Sequence, residues 1–164
     1  MKTDFLSKKE LPLKDLMPII CEHLQNGRQV KLSPKGTSML PMIRQGRDSV
    51  ILSPINREIK KYDIVLYLRK NGQYVLHRVI KVGKTLTFAG DNQIYIEKGI
   101  DRSQAIAIVD EFYRGNRHYS IDNFLYKAYY IVHHYLRPLR RVYRALGRRV
   151  KKYWRIICGN KETD

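Results

Sequence analysis

Cysteine is scarce in this chain: Cys21 and Cys158 are the only two among 164 residues, and they lie far apart. They support neither a disulfide framework nor a metal site, and both are expected to stay reduced. Acidic residues are also few, with 15 Asp and Glu against 32 Lys and Arg, a net charge of +17. Such a surplus points to a polyanionic neighbour, either nucleic acid or an anionic membrane surface. No run of apolar residues is long enough for a transmembrane helix. Met1 to Leu11 alternates charged and apolar residues, so it does not read as a secretory signal. The expected location is therefore the cytoplasm, with peripheral attachment to the inner face of the membrane as the alternative. No internal repeat or low-complexity tract is present.

What remains is ordinary globular material: 43% apolar and 29% charged residues, which excludes whole-chain disorder. The length suits one domain with an appendage. Leu13 to Leu24 places apolar residues at helical spacing and stops at Asn26-Gly27. Short segments follow that read as strands: 28–32, 49–52, 63–69, 73–82, 85–89 and 105–113. Asn71-Gly72 between two apolar runs is a hairpin signal. The expectation is a small, coiled antiparallel β domain over residues 28–113, preceded by a helical segment at 1–27.

From residue 114 the pattern changes. Residues 114–164 carry 13 Lys and Arg and three acids, and Arg137 to Arg155 holds nine basic residues and no acid. Ile121, Leu125, Ala128, Val132, Tyr135, Leu139, Val142, Leu146, Val150, Trp154 and Ile157 step by three or four. This predicts a basic amphipathic helix, N-capped at Ser120, or two helices joined near Pro138, with Gly147 a second weak point. The fold class is thus mainly β with α appendages. Such a helix suits an anionic membrane surface through residues 121–157. The plain alternative is a stripe packed on the β domain with solvated arginines. Nucleic acid ranks behind, because no recognised nucleic-acid motif accompanies the tail.

Three local features carry chemistry. Ser38 follows a glycine-bearing turn in Gly36-Thr37-Ser38-Met39-Leu40-Pro41. His77 sits mid-strand, sharing a face with Val75 and Val79. Asp91 lies in the loop Gly90-Asp91-Asn92. Each alone is unremarkable: a turn serine, a core histidine, a turn aspartate. Together they have a mechanism. A serine hydroxyl needs a base, histidine is poised to be one, and a carboxylate orients the imidazole. Backbone N–H groups from Gly36 to Ser38 could face a developing oxyanion.

The sequence resembles the superfamily that contains signal peptidase I and the LexA-like peptidases. Gly36-Thr37-Ser38-Met39-Leu40-Pro41 is similar to that family's nucleophile box, and Gly46-Arg47-Asp48-Ser49-Val50 to the step that follows it. Lys61-Tyr62-Asp63-Ile64-Val65 resembles its Gly-Asp-Ile-Val strand, Leu76-His77-Arg78-Val79-Ile80 its general-base strand, and Gly90-Asp91-Asn92 its Gly-Asp-Asn box. These boxes span about residues 30–113. The resemblance implies a LexA/signal-peptidase-like fold and a serine endopeptidase cleaving a leader, signal or linker segment of another protein, with no cofactor. Bacterial members usually carry lysine as the base; histidine at position 77 is similar to the archaeal and endoplasmic-reticulum branch. In that branch acids in and shortly after the Gly-Asp-Asn box complete the site, which implies Asp91 first and Glu97 as its rival. Removal of secretory signals in the standard manner is not implied, because no membrane anchor is read in the chain. Self-cleavage is not implied either, because residues 1–37 hold no Ala-Gly or Cys-Gly pair. Two other classes stay open: a non-catalytic module that binds extended peptide, and a basic protein docking to anionic membrane or nucleic acid.

Overall fold

The computed structural model describes residues 12–158. The segment Met1 to Leu11 and the side chains of Ile157 and Cys158 lie outside what is described; Cys21 is a free thiol. The described residues divide into two compact units, one ending at Ile121 and one beginning at Asp122.

The first unit opens with α1 (Leu13–Gln25), which buries Met17, Ile20 and Leu24 on one face. The three recur at spacings of three and four, as a single helical face requires. Gly27, at φ +72°, ends the helix by taking the left-handed conformation that side chains disfavour. Eight antiparallel strands follow: β1 (Val30–Leu32), β2 (Asp48–Ser53), β3 (Ile64–Leu68), β4 (Tyr74–Val82), β5 (Leu86–Ala89), β6 (Glu97–Ile100), β7 (Ala105–Arg114) and β8 (Arg117–Ser120). Their order in the sheet is β1-β2-β7-β3-β4-β5-β6, with β8 paired to β7. The molecule is therefore mainly antiparallel β with helices attached, as the sequence predicts.

Strands β3 to β6 form a meander, and the β3–β4 hairpin turns at Asn71-Gly72, where Gly72 has φ +80°. β7 enters late but sits centrally, between β2 and β3. β3 reads Ile-Val-Leu-Tyr-Leu, and its first four residues are buried. Such a continuous apolar run marks a strand covered on both faces. One face contributes Val65, Tyr67, Val79, Phe88 and Ile108 to a core cluster that also holds Ile59 and Leu86.

Two strands and one boundary differ from the sequence reading. β6 and β8 are short and largely polar, so neither carries an alternating apolar pattern. β8 pairs with β7 along Glu111–Arg114, and Ile121 N–H bonds back to the Asp110 carbonyl at 3.0 Å. The sheet unit thus extends to residue 121, where the sequence reading ends it at 113.

The second unit holds α2 (Phe124–Tyr135) and α3 (Arg137–Cys158). The tail is two helices. They part at Leu136, and Pro138 stands in the first turn of α3, where its missing N–H costs no helical bond. The N-cap is Asn123, not Ser120: Asn123 Oδ1 accepts from Leu125 N–H at 2.9 Å and Tyr126 N–H at 3.4 Å, while Ser120 closes β8. Gly147 does not interrupt α3.

Candidate active site

Ser38 lies in the loop between β1 and β2, in a turn closed by Leu40 N–H to the Thr37 carbonyl at 3.3 Å and followed by a second turn, Ile43 N–H to the Met39 carbonyl at 2.9 Å. Burial of Met39, Met42 and Ile43 anchors this turn, and Ser38 is half-buried beside them. Ser38 and His77 line the same cavity, of about 250 Å³. Its other walls include Leu32, Ile43, Leu66 and Leu76, with Arg69 and Gln93 adding polar edges. Two residues far apart in the chain are thus brought to one concave surface.

The environment of His77 is built by strand register. His77 pairs with Val65 and shares its face of the sheet. Val79, two residues on, lies on that face and pairs with Phe88, and Phe88 pairs with Glu97. Tyr67, two residues from Val65, completes the row. The consequence is a buried polar group on an otherwise apolar face. His77 Nδ1 lies 3.2 Å from the Tyr67 hydroxyl and 3.4 Å from Glu97 Oε1. Arg69 clamps Glu97 from the other side, Nε donating to Oε2 at 2.8 Å and Nη2 to Oε1. Tyr67 stacks on Phe88, with ring centroids 4.2 Å apart, so its hydroxyl is held in place. Burial works against the charge of Glu97, but the hydrogen bonds from Arg69 and Tyr67 outweigh it and hold the carboxyl below its ordinary range. Burial, and then the Glu97 charge, push the Tyr67 phenol upward, so it stays protonated at neutral pH.

Asp91 stands elsewhere. Its carboxylate takes two hydrogen bonds from Arg78, Nε to Oδ1 at 2.8 Å and Nη2 to Oδ2 at 2.7 Å. Arg78 follows His77 in β4, so the two side chains leave opposite faces of the strand. A carboxylate that pairs with one is directed away from the other. Asp91 is therefore the partner of Arg78, and the carboxylate that the structure places beside the imidazole is Glu97, not the first-ranked Asp91.

The Gly90-Asp91-Asn92 loop instead fastens the Ser38 turn. Asn92 N–H donates to the Ser38 carbonyl at 2.8 Å, and Asn92 Nδ2 donates to the Thr37 carbonyl at 3.1 Å. A Cβ on residue 90 would stand 2.7 Å from the Ser38 carbonyl oxygen, so only glycine fits there. The other two boxes close turns ahead of strands. Asp48 accepts from Arg44 N–H at 2.9 Å and from the Arg47 side chain. Asp63 accepts from Lys60 N–H at 2.7 Å and from Arg57.

The expected oxyanion donors fare differently. Gly36, at φ +96°, directs its N–H to Gln45 Oε1 at 2.7 Å, so that donor is spent within the loop. The Ser38 N–H stays the candidate.

Tyr67 and Arg69 were not singled out from the sequence. Their signal is a tyrosine in an otherwise apolar strand and an arginine just past its end. Among the described residues no group of three His, Cys, Asp or Glu side chains could hold a metal ion. No protein-family model, no curated protein and no solved structure matches this chain.

Proposed function

We propose that the chain is a serine endopeptidase of the signal-peptidase-like class, with Ser38 as nucleophile, His77 as general base and Glu97 as the orienting acid. The observation that carries this reading is the pairing of two facts at one cavity. A buried imidazole lines the pocket of a turn serine, and its Nδ1 faces an ionised, Arg-clamped carboxylate.

The chemistry follows from that arrangement. With Nδ1–H directed at Glu97 and Tyr67, the lone pair resides on Nε2. Nε2 takes the Ser38 proton as Oγ bonds to the scissile carbonyl carbon. Glu97 stabilises the imidazolium that forms, and the Ser38 N–H faces the oxyanion. Collapse breaks the C–N bond while the imidazolium returns its proton to the leaving amine. Water, deprotonated by the same nitrogen, then releases the acyl group. Arg69 keeps Glu97 charged, and Tyr67 fixes the imidazole against it. The substrate is an extended segment of another protein, presented to the cavity beside the edge strand β1, whose Leu32 lines it.

The resemblance to the signal peptidase and LexA-like superfamily supports this reading at two positions. Tyr62 stands where the family pattern has glycine, and its φ is +80°, the conformation glycine is chosen for. Position 90 admits no side chain.

A fluorophosphonate probe offered to the purified protein should label Ser38, located by peptide mass spectrometry. Ser38→Ala should abolish labelling, and His77→Ala should slow it by about 10³-fold or more. Full-rate labelling of a folded His77→Ala protein would refute the assignment and leave the peptide-binding module as the better reading.

A further inference from the structure

Helix α3 carries an arrangement for which the hydrolase has no use. At 100° per residue, Leu139, Val142, Leu146 and Val150 fall in one arc of about 80°, flanked on one side by Tyr143 and Trp154. All six are more than half exposed, from 54% at Leu146 to 79% at Tyr143. The opposite arc of about 120° contains positions 137, 140, 141, 144, 148, 151, 152 and 155, every one of them Lys or Arg, with Cys158 at its edge. Acidic residues are absent from all 22 positions of the helix. No described helix is long and apolar enough to cross a membrane.

We propose that α3 lies flat on an anionic membrane surface, with the leucine and valine stripe sunk to the level of the upper acyl chains and the basic arc among the phosphates. Two independent features of one helix demand this partner. An exposed apolar stripe of this extent stays unfavourable in water, and a side of the helix built of Lys and Arg positions attracts negative charge. Nucleic acid would neutralise the cations and leave the stripe wet. A membrane surface takes both at once, and the indole and phenol along one border of the stripe belong at the headgroup level.

Trp154 is the only tryptophan in the chain, so its emission reports on this helix in the intact protein. Vesicles of phosphatidylglycerol and phosphatidylcholine in equal parts should shift that emission to shorter wavelength and carry the protein into the pellet. Phosphatidylcholine alone should bind roughly tenfold or more weakly, and raising salt to about 0.5 M should weaken the anionic case by a similar factor. Leu146→Glu places a charge mid-stripe and should lower vesicle affinity at least about tenfold, with the β unit's circular dichroism unchanged. Unchanged Trp154 emission with anionic vesicles, or wild-type vesicle binding by Leu146→Glu, would overturn the proposal. Emission already short in buffer and insensitive to vesicles would show the stripe covered in the free protein, and overturn it equally. So would tight binding of duplex DNA or RNA by both proteins with no vesicle binding by either.

Discussion

Two carboxylates are candidates for the proposed orienting role, and strand parity separates them. Asp91 and Glu97 are both buried, but Asp91 faces Arg78 while Glu97 faces His77. Their substitutions should therefore fail in different ways. Glu97→Gln removes the charge behind the base and should cut the rate of probe labelling by about 10²-fold or more while the protein stays folded. Asp91→Asn leaves a buried guanidinium without its counter-charge and should cost about 3–5 kcal/mol of stability, read as a lower denaturant midpoint. The depressed pKa of Glu97 adds a pH signature. A carboxyl that ionises more readily when folded stabilises the protein above its ordinary value of 4.5, and that stability fades as pH falls through the lower folded value. Urea midpoints measured downward from pH 5 should decline, and in Glu97→Gln the decline should be shallower. The sequence shows both acids, and the resemblance puts Asp91 first; which of them lies beside His77 depends on the register Val79–Phe88–Glu97, which no local pattern displays. Tyr67 and Arg69 escape notice for the same reason: Arg69 meets Glu97 across 28 residues of chain.

At the level of elements, the sequence displays those with strong periodicity and hides those without it. α1, the β3–β4 hairpin and β7 are legible from apolar spacing and from Asn71-Gly72. β6 and β8 are polar strands that exist because a neighbouring edge was available to pair with; nothing local demands them. The break at Leu136 was visible through Pro138, but the start of α2 was not. Ser120 and Asn123 are equally good caps by type, and pairing of β8 decided between them. The loop 90–92 is the element on which the site depends most. It reads as an ordinary Gly-Asp-Asn turn, yet it joins the Ser38 turn to β4 through Asn92 and Asp91. Gly90→Ala would press a methyl group against the Ser38 carbonyl. The turn must then move, and Ser38 labelling should slow by about tenfold or more for a stability loss of only about 1–3 kcal/mol. Loss of stability with labelling unchanged would show that the loop supports the fold and not the nucleophile.

On the scale of the whole molecule, charge is densest away from the proposed reacting groups. Ser38, His77 and Glu97 all lie in the unit ending at Ile121. Residues 122–164 contain 11 Lys and Arg and three acids, a net of +8 from about a quarter of the length. Composition makes that asymmetry plain, whereas the position of the boundary required the structure. One practical consequence concerns handling. About half of the net charge that sets retention on cation exchangers or heparin, losses to glass, and carry-over of cellular polyanions belongs to residues 122–164, which hold none of the proposed reacting groups. Elution position is therefore a poor surrogate for an intact hydrolytic centre, and a preparation can behave well on a column while its serine is inert.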